Sequence, residues 1–325
     1  MNDHGSDMDD DIDDLDDRMM DDLDSGASAG HVPVLPEAVV ELLAPARGQT
    51  VIDCTIGRGG HARLIMPHLA PGGHLLGLDT DAQNVAFVRE NFAQSPIPGV
   101  TFDAIHANFA DLAGVLEDRG ITTVDGLLAD LGWASSQIAD AARGFSFMHD
   151  GPLDMRLDQT QGLTAADLVN SLDERELADI LWRYGEERLS RRIAQKITEQ
   201  RRAKPITNTR QLAEICSAAY GPARHRSRID PATRTFQALR IAVNDELDRL
   251  TSLLSQLPDV LSVGGRAAII SFHSLEDRLV KHAFRDLAAE GRVKILTKKP
   301  RLADEAERAT NPRSRSAKLR GIERI

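Results

Sequence analysis

The run Thr50-Val-Ile-Asp53-Cys54 is apolar, ends in an aspartate, and passes within three residues into Gly57-Arg-Gly59-Gly60. Few folds accept that junction: a strand must stop, the chain must turn through angles that favour glycine, and a helix must begin. The helix follows at His61–Leu69, with Leu64, Ile65 and Leu69 on one face, and Pro71-Gly72-Gly73 stops it. The pattern then repeats. His74–Leu78 reads as a strand ending at Asp79, a helix carries Val85, Val88 and Phe92, and a third strand lies near Thr101–His106. Val124–Ala129 is a fourth strand, ending at Asp130. Strands alternating with helices predict an α/β, Rossmann-like fold with a mostly parallel sheet, whose ligands bind at the carboxyl edge of the strands.

The alternation stops between Gln137 and Phe236, where helices and loops are expected without a strand. Ser171-Leu-Asp-Glu174 has the form of a capping box opening a helix with Leu177, Ile180, Leu181 and Tyr184 on one face. Gly185 breaks that helix, and Leu189, Ile193 and Ile197 continue with Arg191, Arg192 and Lys196 off the apolar stripe. One long helix is then expected, with Leu239, Val243, Leu247, Leu250, Leu254 and Leu257 in near-heptad spacing as ordinary core. Gly264-Gly265 leads into a strand at Arg266–Phe272, and Val293–Leu296 and Ala317–Arg324 supply two more. The organisation expected is an acidic tail over 1–30, a discontinuous sheet domain over 31–136 and 237–325, and a helical insertion over 137–236.

Charge is segregated along the chain. Residues 1–30 hold twelve Asp and one Arg, which accounts for the whole net charge of −11. A segment so charged and so poor in apolar residues is expected to be disordered. Arg183–Arg240 carries 14 Lys/Arg against 5 Asp/Glu, and Lys281–Ile325 carries 13 against 6. Two basic segments on a neutral body suggest a polyanionic partner. Two cysteines, Cys54 and Cys216, are too few for a disulfide framework or a cysteine-rich zinc site. With no apolar run of membrane length and no signal-like leader, a cytoplasmic protein away from membranes is expected.

Gly57-Arg-Gly59-Gly60-His61-Ala62 fits the dinucleotide pattern, with Asp79 twenty residues beyond Gly59, so the glycines alone equally describe an NAD site. Asp53 separates the readings. A carboxylate there opposes a pyrophosphate docked at the next helix N-terminus but suits the ammonium of S-adenosylmethionine. Asp79 is placed to accept both ribose hydroxyls, and Asn108-Phe109 to meet the adenine. No two histidines share ligand spacing with a cysteine or carboxylate, so no metal is expected.

Longer blocks are more specific. They are His31-Val-Pro-Val-Leu35, Asp53 through His61, Asp130-Leu-Gly-Trp-Ala-Ser-Ser-Gln137, Arg143-Gly-Phe-Ser-Phe147 and Gly151-Pro-Leu-Asp-Met-Arg156. Tyr184-Gly-Glu-Glu-Arg188, Ala232-Thr-Arg-Thr-Phe-Gln237, Ser271-Phe-His-Ser-Leu-Glu-Asp-Arg278 and Asn311-Pro-Arg313 follow in order. Through them the chain from about His31 onward resembles the bacterial 16S rRNA (cytosine-N4)-methyltransferases, the RsmH or MraW family. The resemblance implies a class I S-adenosylmethionine-dependent methyltransferase sheet with an inserted helical domain, and a cytidine of the small-subunit decoding centre as target. It also implies cofactor contacts at Gly59, Gly60, His61, Asp79, Phe109, Asp130 and Gln137, beside Asp53 and Gly57 from the reading above. Trp133-Ala134 departs from the family's small aliphatic and serine.

The chemistry needs an acceptor for the amine hydrogens, for which Asp130 is the first candidate. His273 follows the fifth strand at the same sheet edge, with Glu276, Asp277 and Arg278. Asp154 and Arg156 sit on a Gly-Pro loop that reads as a substrate-facing lid. Candidate RNA contacts are Arg191, Arg192, Lys196, Arg234, Arg278, Arg313 and Arg315, the partner being 16S rRNA or the small ribosomal subunit. A homodimer is compatible with the sequence. An amino-methyltransferase for DNA or a small molecule, and an NAD-dependent oxidoreductase, are the alternatives.

Overall fold

A computed structural model describes residues 32–133, 137–138, 140–222 and 229–325. The acidic tail, His31, Ala134 and the run 223–228 lie outside the described residues, so the expectations placed on them stand as sequence readings.

The alternating segments form one seven-stranded sheet: β1 (Thr50–Asp53), β2 (Gly73–Asp79), β3 (Val100–His106), β4 (Val124–Asp130), β5 (Leu261–Ser271), β6 (Val293–Ile295) and β7 (Lys318–Arg324). Their spatial order is β3-β2-β1-β4-β5-β7-β6, with the first five parallel and β7 antiparallel to both neighbours. This is a Rossmann-like α/β sheet with an antiparallel strand near one edge. Order reverses beside β1, so the crevice at the carboxyl ends of β1 and β4 is the natural ligand position.

Strand alternation sends Val51, Leu75, Leu128 and Ile270 to one face, and Ile52, Leu76, Leu127 and Ile269 to the other. The first face is covered by α1 (Pro36–Leu43), α2 (Gly60–Leu69) and α3 (Ala82–Gln94). The second is covered by α4 (Leu112–Glu117), α10 (Glu246–Val260) and α11 (Ser274–Ala289). Gly59, at φ +79°, caps α2 from the left-handed region; a Cβ there would stand 2.8 Å from the Phe92 ring. The tight strand-to-helix turn therefore needs glycine at that point on two counts.

Between β4 and β5 come α5 (Ala165–Ser171), α6 (Glu174–Gly185), α7 (Ser190–Ala203), α8 (Thr209–Tyr220) and α9 (Thr233–Asn244), with no strand among the described residues. They close on a third apolar cluster that includes Phe145, Leu181, Ile197, Leu212 and Phe236. Two local readings shift here. The capping box of α6 is Asp173 with Glu176, not Ser171 with Glu174, because Ser171 still closes α5. The expected single helix is two. Asp245 turns left-handed (φ +49°) between α9 and α10, and the Asn244 amide side chain is spent on the backbone of Met155 and Leu157. Leu239 therefore packs in the helical cluster, whereas Leu250, Leu254 and Leu257 pack on the sheet. A short α12 (Glu305–Thr310) precedes β7. Among the described residues no helix is long and apolar enough to cross a membrane.

Candidate active site

The strand ends open on a cleft lined by residues of both the sheet and the helical segment. Asp79 stands at its β2 side with its oxygens already aimed: Oδ2 accepts the Gly57 amide at 2.9 Å and Asn84 Nδ2 at 3.1 Å, and Oδ1 accepts the Asp81 amide at 2.8 Å. Burial raises its carboxyl to about 6 against those hydrogen bonds. Phe109 and Leu250 supply an apolar wall beside it. Asp81 caps α3 and gathers Gln137 and Arg143, each 3.0 Å from its Oδ2. Burial opposes its charge, yet hydrogen bonds from Gln137 and the Gln83 amide, with Arg143, hold the carboxyl below its usual range. This ties the loop after β4 to the end of β2.

Asp130 lies at the centre. Its Oδ1 accepts the Gly132 amide at 3.0 Å, its Oδ2 is 3.8 Å from His61 Nδ1, and its own amide donates to Thr55 Oγ1 at 2.7 Å. On the wall toward α10, Arg240 stands over the Trp133 ring at 5.0 Å and grips both oxygens of Glu246 at 3.0 Å. Glu276 lines the same wall, with Oε2 accepting the Phe272 amide at 2.8 Å. The charged lining is thus Asp79, Asp130, Glu246 and Glu276 against Arg249 alone. Such a wall repels a pyrophosphate and accommodates a sulfonium with its ammonium, so the residues fit S-adenosylmethionine.

A family model described as the MraW methylase family matches residues 28–325. The chain belongs to the MraW methylase family. It is therefore an enzyme that uses S-adenosylmethionine, which removes the oxidoreductase alternative. A protein named ribosomal RNA small subunit methyltransferase H from Citrifermentans bemidjiense is 47% identical over 310 residues, covering 91% of this chain and 98% of that protein. One of the same name from Synechococcus elongatus is 48% identical over 307 residues, covering 94% and 99%.

In this MraW methylase the sequence-derived site residues fall into three groups. Gly57, Asp79, Phe109, Asp130 and Gln137 line the cleft. Asp53, Gly59, Gly60 and His61 do not; they shape the turn behind it. Asp53 is buried, its Oδ1 accepts the Thr55 amide at 3.1 Å, and burial pushes its carboxyl up to about 6. His61 Nε2 bonds the Val34 carbonyl at 2.8 Å. Asp53, read from the sequence as the partner of the cofactor ammonium, stands one layer behind the lining residues.

The third group stands off the cleft lining. Asp154 and Arg156 form a bidentate ion pair at 2.8 and 2.9 Å and do not line the cleft, so their charges are spent on each other. Leu157, next along that loop, does line it. His273 caps α11 through Nδ1, which accepts the Glu276 amide at 3.4 Å, and is buried behind Glu276. Asp277 pairs with Arg320 and Arg278 with Glu186. Arg313, read as an RNA contact, is buried; burial lowers its guanidinium, with Asp130 opposing that shift. Arg191, Arg192, Arg278 and Arg315 are exposed, whereas Lys196 and Arg234 are half-buried.

Sequence reasoning missed Asn244, Glu246 and Arg249. The only signal was the polar run Asn244-Asp-Glu246 interrupting a leucine stripe, which periodicity had bridged.

Proposed function

We propose that this methylase places a methyl group on the N4 amine of a cytidine in 16S ribosomal RNA, acting on the small ribosomal subunit in the cytoplasm. The observation that carries the reading is the cleft itself. A ribose-type carboxylate, Asp79, and a second carboxylate, Asp130, stand on one lining at the ends of β2 and β4, on either side of β1, and the family is one of methylases. When bound, S-adenosylmethionine supplies an electrophilic methyl on a sulfonium.

The residues supply the remainder. Asp79, already oriented by two backbone amides, meets the ribose hydroxyls, and Phe109 with Leu250 covers the adenine. The N4 lone pair of cytosine is delocalised into the ring, so an acceptor on an amine hydrogen helps release it as the new bond forms. Asp130 is that acceptor, with one oxygen pinned by the Gly132 amide and the other facing His61. Trp133 and Leu157 narrow the cleft and exclude water from the reacting centre, leaving positioning as the main catalytic device. The base must leave its stack to reach this depth. Exposed Arg191 and Arg192 on α7, with Arg278 and Arg315, hold the flanking phosphates.

Mapping methylated nucleotides in small-subunit RNA from cells with and without the gene tests this. One cytidine should lose its N4 methyl group in the deletion and regain it from purified enzyme. An unchanged methylation map, or loss at another base, overturns the reading.

A further inference from the structure

Leu157 reaches the cleft from a turn, Met155–Leu157, whose backbone is fixed by side chains from two other segments. Met155 is buried and left-handed, with φ +64°, a conformation that L residues rarely adopt. Such a residue persists only where its surroundings over-determine it, and those places cluster at ligand sites. Here it is held from both sides. Arg143 Nη2 donates to the Arg156 carbonyl at 3.1 Å and to the Leu157 carbonyl at 2.8 Å. Asn244, at the end of α9, accepts the Leu157 amide at 2.7 Å and donates to the Met155 carbonyl at 2.8 Å. The Met155 amide donates to the Arg143 carbonyl at 3.0 Å, and the Arg156 amide to Asp154 at 3.1 Å. Every backbone polar group of the turn is therefore taken.

The same arginine joins the turn to the sheet. Arg143 Nη1 pairs with Asp81 Oδ2 at 3.0 Å, both side chains being buried, and the Asp81 amide donates to Asp79 Oδ1 at 2.8 Å. A short chain of bonds thus runs from the ribose-type carboxylate to Leu157. The planar fork of a guanidinium can serve a carboxylate and two carbonyls in one geometry, which an ammonium cannot. Gly144 lets the backbones close: a Cβ there would stand 2.1 Å from the Pro152 carbonyl oxygen and 2.8 Å from the Asp154 nitrogen. Burying an ion pair gains little stability over a well-packed apolar pair. What this pair fixes is the position of Leu157, and Arg143 itself does not line the cleft.

We propose that Arg143 and Asn244 are positioning residues that seat the Met155–Leu157 turn as a wall of the cofactor cleft, so that the helical segment helps to hold S-adenosylmethionine. Leu157 is the side chain that meets the cofactor, and Arg143 acts only through the turn. The inference concerns the cofactor and stands whichever base is methylated. Its rival is an ion pair that merely fastens the helical segment to the sheet. That role predicts lost stability without lost cofactor affinity.

Calorimetry with S-adenosylmethionine on the full chain decides between them. Leu157→Ala, at a half-buried position, should weaken binding roughly tenfold through lost apolar contact. Arg143→Lys keeps a charge for Asp81 but not the fork, and should weaken binding about fivefold. If Arg143 acts through Leu157, the two losses do not add: the double variant should bind within about twofold of Leu157→Ala. With small ribosomal subunits as substrate, Arg143→Lys should raise the KM for S-adenosylmethionine by that same factor. Its kcat at saturating cofactor should stay within about threefold of wild type. Should Arg143→Lys not fold, Arg143→Gln combined with Asp81→Asn removes both buried charges together and takes its place. Folded variants with wild-type cofactor affinity overturn the proposal. Losses that add in full also overturn it, since Arg143 would then act elsewhere than through Leu157.

Discussion

Asp79 and Asp53 end neighbouring strands, share a raised carboxyl near 6, and do different work. Asp79 opens on the cleft, so Asp79→Ala should weaken S-adenosylmethionine binding roughly 10–100-fold, since charge-assisted acceptors are worth about 1.5–3 kcal/mol each. Calorimetry on a folded variant checks this. Asp53 is sealed behind the turn, so its raised carboxyl is a matter of stability. A buried carboxyl that holds its proton to about 6, against 3.8 unfolded, favours the folded state fully below about pH 4, and that contribution is lost as pH rises through 6. Asp53→Asn keeps an acceptor for the Thr55 amide without the buried charge. It should match the wild type near pH 4 and exceed it at pH 8 by on the order of 2–3 kcal/mol, read from denaturant melts. Asp130→Ala tests a third role: kcat should fall more than substrate binding if this residue takes the amine hydrogen. A loss confined to the Michaelis constant for S-adenosylmethionine would make it an anchor for the cofactor.

At the scale of elements, α7 is where sequence pattern and structure agree most directly. Ile193 and Ile197 are buried while Arg191 and Arg192 are exposed, as the stripe required, and Lys196 is half-buried. Arg201, later on the same helix, turns inward and donates to the Val169 carbonyl at 2.6 Å, tying α7 to α5. Changing Arg191, Arg192 and Lys196 together to Gln should spare the fold, weaken RNA binding and flatten its salt dependence by up to ~2 units. Filter binding across a salt series measures this, and cofactor affinity is the control. The α9–α10 junction shows the opposite case. Near-heptad leucines cannot report that the stripe changes partner half-way, because hydrophobic spacing encodes a face and not what that face meets.

Across the whole molecule, charge behaves differently in the two basic segments. In the C-terminal one, Arg292 pairs with Asp259, Arg301 with Glu41, Arg320 with Asp277 and Lys294 with Glu323. Removing residues 1–30, with their twelve aspartates, should leave cofactor affinity unchanged and raise RNA affinity, most at low salt where charges act over longer range. An RNA affinity unaffected at low salt would show that the tail does not screen the basic surface.

Local chemistry determined much of this protein from sequence alone. Strand alternation, helix stops and the glycine turn at Gly57–Gly60 act over a few residues, so the seven strands and the sheet edge on which the cleft opens were legible. Motif length did the same for the family. Tertiary structure decided the rest, because side chains distant in sequence compete for the same partners. Asp154 and Arg156 satisfied one another, and Arg313 was buried near the carboxylate it faces. Glu246 and Glu276, drawn from two helices, came to line one cleft only when Asp245 broke the chain's direction. No spacing rule records that meeting: burial, and the hydrogen bonds it makes compulsory, set it after the chain has folded.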